Sequence, residues 1–204
     1  MPINEGFKKF SKDRTQGITD SIFAFAMTLL VINIEVPHPA IGQLDDSVLN
    51  ILASLNQDFL QYIIAFMVLA FFWILHHRQF EALKFMDHRL LLLNFLGLIL
   101  VALMPFSAEL ADTYFRDRIA VIFFEANLLL TGLAFYLQLV YAARHRGLLD
   151  EEISTEMIAD ERRNNLIIPM ISLLAIILAL LGINWGVLLY FLAPFVFILL
   201  SRIP

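Results

Sequence analysis

Only three charged side chains lie inside the long apolar stretches of this chain: Asp20, Glu35 and Glu125. Carboxylates in such surroundings pair with a partner, accept hydrogen bonds, or serve the movement of protons and cations. Two histidines, His76 and His77, close another apolar stretch and are followed by Arg78. Imidazoles placed there can tie a carboxylate, titrate near neutral pH or bind a metal. Joint metal or haem ligation by the pair is disfavoured, because neighbours on a helix point about 100° apart. The other histidines, His38, His88 and His145, fall outside the apolar stretches. There is no cysteine, which removes thiolate metal sites, iron–sulfur clusters and thiol nucleophiles. No Ser/His/Asp constellation or glycine-rich phosphate loop stands out, so neither catalysis nor a cofactor is expected.

Six apolar runs position these residues: 18–36, 59–76, 90–108, 119–141, 165–183 and 185–201. Each is long enough, at about 1.5 Å per residue, to cross a hydrocarbon layer of roughly 30 Å as a helix. Apolar residues make 60% of the chain and charged ones 16%, and nearly all the charges fall between the runs. A soluble monomer would need them spread over its surface. The reading is an all-α integral membrane protein with six transmembrane helices, forming one domain over 1–204. Disordered, collagenous and disulfide-stapled classes are excluded. With a net charge of −5 and no basic patch with interleaved aromatics, nucleic acid is not a partner.

Lys and Arg are strongly biased to one side: the N-terminal segment, the loops after the second and fourth runs, and the C-terminus hold all of them except Arg116 and Arg118. That asymmetry predicts cytoplasmic N- and C-termini in a multi-pass cell-membrane protein. The first run is too long for a signal peptide and has no cleavage pattern, so it reads as a retained helix. Within it Ser21, Phe25, Thr28, Leu29 and Ile32 share one stripe, continued by Glu35 at the outer mouth, while Ala24 and Ala26 lie off it. Such a stripe faces lipid, packs in a core, or lines a path. Asp20 either joins Arg14 and His76 or His77 in a hydrogen-bonded cluster, or is simply a helix N-terminal carboxylate favoured by the macrodipole. Glu125 has only Arg118 or Asn127 as evident neighbours and reads more readily as packing than as transport chemistry. Pro105 is expected to break the third helix, Pro169 to open the fifth, and Pro194 to interrupt the sixth.

Arg14-Thr15-Gln16-Gly17-Ile18-Thr19-Asp20, with Phe23-Ala24 and Thr28 to Val31 behind it, resembles the R-x-x-x-F-S-D signature of the lysosomal potassium channel family (transmembrane protein 175). The stretch from Trp73 to Phe80, W-I-L-H-H-R-Q-F, is similar to that family's second recurrent block. Ile18 stands where the signature has Phe and Thr19 where it has Ser; the hydroxyl and the apolar plug are kept. The resemblance implies a homotetramer in which four copies of the first helix surround a potassium pore with no T-V-G-Y-G carbonyl filter. It also implies pore-lining positions at Phe25, at Thr28 or Leu29, and at Ile32, the stripe already picked out by periodicity. Phe25 departs from the usual Ile or Leu, and either closes the pore more tightly or moves the constriction one turn outward.

The expected function is thus a potassium-permeable cation channel. Apolar rings of Phe25, Leu29 and Ile32 gate it by dewetting, and Asp20 and Glu35 draw cations to the mouths. Arg14, Thr19, Asp20, Trp73, His76 and His77 form the network that orients the first helix. Its partners are potassium and other monovalent cations, held only transiently in the pore, together with the lipid bilayer and further copies of the chain. A proton-coupled secondary transporter using Glu125 is the alternative, and a membrane enzyme built on His76, His77 and nearby carboxylates is a third class.

Overall fold

A computed structural model describes residues 11–37 and 48–200. Eight α-helices and two 3-10 segments follow one another along the described chain: α1 (Lys12–Ile32), α2 (Val48–Ser54), α3 (Asn56–Glu81), α4 (His88–Thr113), α5 (Arg118–Arg144), a 3-10 turn at Arg146–Leu148, α6 (Thr155–Asn165), α7 (Ile167–Leu180), a 3-10 segment at Asn184–Leu192, and α8 (Ala193–Leu200). Five helical stretches are long and apolar enough to cross a membrane: α1, α3, α4, α5, and α6 with α7 taken together. The remaining apolar stretch, Asn184–Leu199, is shorter.

Short polar side chains start the helices, because the first turn of a helix leaves backbone N–H groups without carbonyls. Ser11 accepts from the Arg14 N–H at 3.4 Å, Asp87 from Leu90 at 2.8 Å, Asp117 from Ile119 at 2.8 Å and Ser154 from Met157 at 3.2 Å. All but Asp117 place the acceptor three residues ahead of the donor. Gly182 carries φ of 87°, a left-handed conformation that glycine adopts without strain. It closes α7, its N–H donating to the Ala179 carbonyl at 3.0 Å.

Around the centre of the bundle α1, α3, α4, α5 and α7 bury one continuous core that includes Phe23, Leu69, Phe72, Met104, Leu128 and Phe135. Phe135 lies 6.0 Å from both Phe23 and Phe72, ring centre to ring centre. Large apolar side chains also face outward along α4, α5 and α7, among them Ile99, Phe106, Leu137, Met170 and Leu180. Such a surface would associate in water and is at home against acyl chains.

Three expectations change. The run 185–201 is not one helix: the chain travels as a 3-10 segment to Leu192 before α8 begins. Here Gly186 presses onto α7, where a Cβ would stand 3.0 Å from Ala175 Cα, and Pro194 falls in the first turn of α8, where its missing N–H costs no bond. Nor does Pro105 break its helix, because α4 runs on through it to Thr113. The Pro105 carbonyl accepts from Asn33 Nδ2 at 3.1 Å. The loops also hold more helix than apolarity alone implied: α6 is polar, and α2 is a short helix with no buried residue. Pro169 does sit in the first turn of its helix, α7.

Candidate functional site

Helix α1 is two-faced in a way its composition hides. Thr15, Thr19, Phe23, Ala26 and Leu30, spaced three or four apart, are buried against α3 and α4. On the opposite face Ser21, Phe25, Thr28 and Ile32 are exposed, Phe25 by 65% and Ile32 by 70%, while Leu29 is half-buried at the boundary. The stripe read from periodicity is therefore the uncovered side of the helix. Alongside it an open groove of 680 Å³ extends from Arg14 past Ser21 and Phe25 to Leu29, with Ala102 of α4 as its far wall. The two hydroxyls of this face are spent on the helix itself: Ser21 Oγ donates to the Gly17 carbonyl at 2.7 Å and Thr28 Oγ1 to the Phe25 carbonyl at 2.8 Å. Glu35 follows α1 and is exposed.

What holds the covered face is a polar anchor. Trp73 Nε1 donates to Asp20 Oδ1 at 2.9 Å, and the Trp73 ring stacks on His77 at 5.3 Å. His77 in turn meets Gln16 Nε2 at 3.2 Å through Nδ1 and Glu81 at 3.4 Å through Nε2. One helical position away, His76 points into the bundle. Its Nε2 lies 2.7 Å from Asn94 Oδ1, an atom that can only accept, so His76 donates there. Asn94 Nδ2 donates onward to Thr19 Oγ1 at 3.2 Å. Thr19 and Asn94 have no exposed surface and His76 only 2%, so the chain His76–Asn94–Thr19 bonds α3, α4 and α1 with no solvent competing. Phe135 covers it edge-on, 4.8 Å from the imidazole.

Asp20 thus takes the indole of Trp73, and not Arg14 or a histidine. Arg14 is exposed at the head of the groove, and the ion pairs among the described residues do not include it. The two histidines diverge as their adjacency requires, one buried and one stacked at the surface. Among the described residues, no three His, Asp or Glu side chains gather as a metal site would need. Asn94 and Gln16 complete the anchor, and only contact could reveal them: an Asn in an apolar run signals some polar partner but not which one.

Glu125 has a set of its own. It is fully buried on α5, where Tyr190 hydroxyl donates to its Oε2. That hydroxyl also meets Ser172 Oγ at 2.8 Å, and Ser172 donates to the Ile168 carbonyl at 3.0 Å. Neither Arg118 nor Asn127 is the partner. Asn127 Nδ2 instead donates to Ser107 at 3.0 Å.

A bundle of membrane-crossing helices, in which a polar network holds one side of α1 while its opposite side is left uncovered by the rest of the chain, defines an all-helical integral membrane protein. The model of the endosomal/lysosomal potassium channel TMEM175 family matches residues 14–105, the stretch that contains every member of the anchor except Phe135. Over that stretch the chain is similar to the TMEM175 family. It is 31% identical over 104 residues to a potassium channel of Streptomyces collinus, covering 51% of this chain and 49% of that one. It is 35% identical over 101 residues to a potassium channel of Chamaesiphon minutus, covering 50% and 49%. An endosomal/lysosomal proton channel TMEM175 of Danio rerio is 24% identical over 143 residues, 70% of this chain and 27% of the relative. The alignments span about half the length, or less, of these curated relatives. In structure the chain superposes on the crystal structure of a lysosomal potassium-selective channel TMEM175 homologue from Chamaesiphon minutus with a TM-score of 0.79 at 26% identity, covering 94% of this chain and 98% of the other. It also shares the fold of the potassium channel MtTMEM175, at a TM-score of 0.61 and 17% identity.

Proposed function

We propose that the chain is one subunit of a homotetrameric, potassium-permeable cation channel whose pore is lined by the uncovered face of α1. One observation carries this reading: Phe25 and Ile32 are 65% and 70% exposed on the same helix whose other face is bonded and packed into α3 and α4. The potassium channels among its relatives support it. Four copies related by a rotation axis would bring four such faces together and close a conduit that one chain cannot form. Phe25, Leu29 and Ile32 would then stack as apolar rings. A narrow apolar ring sheds water and blocks ions until it widens, so small rotations of α1 gate the path. Thr28 contributes hydroxyls one turn beyond Phe25, and Glu35 at the outer mouth concentrates cations. Both termini face the cytoplasm on the distribution of Lys and Arg. No T-V-G-Y-G filter is used, so preference for potassium over sodium arises in the apolar constriction.

Potassium and sodium flux from proteoliposomes containing the wild-type chain and the Phe25→Ala variant tests this. The expected result is potassium flux exceeding sodium flux, with Phe25→Ala raising total flux several-fold and narrowing the difference. Absence of flux for either ion in both proteins overturns the reading. A proton-coupled carrier using Glu125 is the second reading, favoured by one atom: the buried Glu125 Oε1 has no hydrogen-bond partner among the described residues. It requires saturable flux that collapses on Glu125→Gln.

A further inference from the structure

At the end of the bundle predicted to face the cytoplasm, α3, α5 and α6 enclose a cavity of 320 Å³. Its wall is mostly aliphatic, with Leu90, Leu139, Leu149 and Ile158 among the side chains that form it. Two buried amides interrupt that wall: Gln79, 4% exposed, and Gln138, 1% exposed. Gln79 uses its Nε2 to donate to Asn165 Oδ1 at 2.7 Å, which leaves Oε1 with no partner among the described residues. Neither end of the Gln138 amide has one. At the edge of the cavity Glu161 gives one oxygen to Arg78 at 2.6 Å, while its other oxygen, Oε2, is buried and without a partner. The wall therefore offers three unused acceptors and a single unused donor, Gln138 Nε2.

Buried polar atoms in native proteins nearly always find a partner, so three acceptors left over around one cavity call for something that donates. The charges point the same way. Three carboxylates, Glu81, Asp160 and Glu161, line the cavity against one guanidinium, Arg78. Asp160 is shared with Arg163 at 2.6 Å and Glu81 with His77 at 3.4 Å, which softens the excess without reversing it. An ammonium group has three N–H donors, no acceptor and the matching sign, and an aliphatic tail suits the leucines and isoleucines around it. We propose that this cavity is a binding site for a small aliphatic ammonium ligand, with the head held by Gln79, Gln138 and Glu161 and the tail among Leu90, Leu149 and Ile158. The site is separate from the uncovered face of α1 and does not depend on what that face does.

Binding of n-hexylamine, n-hexanol and hexanoate to the intact chain in lipid nanodiscs, measured by calorimetric titration against chain-free nanodiscs, tests the proposal. Saturable binding of the amine is expected, at least tenfold tighter than the alcohol and with none detectable for hexanoate. Gln138→Leu, which keeps the volume and removes both unused amide atoms, should weaken the amine at least tenfold. Met157 lines the cavity and is 51% exposed, so Met157→Trp obstructs it from the solvent side with little risk to folding and should abolish binding. If Gln138→Leu does not fold, Met157→Trp decides. Amine and alcohol bound equally, amine binding undiminished in the folded variants, or no binding above bare nanodiscs would each overturn the proposal, the last leaving water as the partner of these amides.

Discussion

The indole N–H of Trp73 reaches Asp20 Oδ1 at 2.9 Å, and this bond converts a carboxylate on a membrane helix from a cost into a joint. Asp20 is only partly buried, and a hydrogen bond to a charged acceptor contributes about 1.5–3 kcal/mol. Trp73→Phe keeps the ring that stacks on His77 and deletes the donor. Asp20→Leu deletes the acceptor. A double-mutant cycle on thermal unfolding in detergent should return a coupling energy of about 1.5–3 kcal/mol between the two positions. A coupling near zero would mean that Asp20 is held by something other than Trp73.

The buried relay behind that joint should be less forgiving. Asn94 gives its oxygen to His76 and its N–H to Thr19, and neither has water to turn to. Asn94→Leu preserves the volume but orphans both partners, and each buried orphan costs about 1–3 kcal/mol. The variant should therefore lose about 2–6 kcal/mol, seen as a drop in Tm, and should lose more than Trp73→Phe does. His76→Phe combined with Asn94→Leu removes two of the three polar groups, so the double variant should be more stable than the sum of the single losses predicts.

Much of this was legible before any coordinates, and the reason is periodicity. Spacing alone places Ser21, Phe25, Thr28 and Ile32 on one stripe of α1, and that stripe is the side the rest of the chain leaves uncovered. The Trp73–His76–His77 block drew notice through its resemblance to a family motif. Which atom meets which was not legible. Opposite charge suggested Arg14 for Asp20, but an indole N–H that is already apolar on every other side makes a cheaper partner to bring to the membrane level than a guanidinium. Tyr190 was invisible as the partner of Glu125, because a residue 65 positions away on a separate element leaves no local trace. Chain path was least legible where close packing overrode composition: the run 185–201 reads as a helix residue by residue, yet Gly186 lets it approach Ala175 and it winds as 3-10 as far as Leu192 before α8 begins.

Close packing also sets the third expectation. At Gly97 a Cβ would stand 2.4 Å from Phe135 Cε1, inside any tolerable contact. Phe135 cannot retreat freely, since its ring is 1% exposed and wedged between Phe23, Phe72 and His76. Gly97→Ala should destabilise the chain by about 1–3 kcal/mol through overpacking, despite its gain in helix propensity. Combining it with Phe135→Leu, which yields space, should restore part of the loss in the same unfolding measurement.

Glu125 and Tyr190 separate structure from transport. Tyr190 is 2% exposed and its hydroxyl stands between Glu125 and Ser172. Tyr190→Phe deletes the donor that serves the Glu125 carboxyl and leaves Ser172 with the Ile168 carbonyl alone, so it should cost about 1–3 kcal/mol in unfolding. Glu125→Gln retains an oxygen to accept from Tyr190, so its effect on stability should be smaller than that of Tyr190→Phe. If α1 alone carries the ions, Glu125→Gln leaves potassium flux in proteoliposomes within about twofold of wild type, and Ile32→Asn, which wets one apolar ring, raises it well beyond that. Flux that instead vanishes in a well-folded Glu125→Gln protein, and saturates in the wild type, transfers the ion path from α1 to α5.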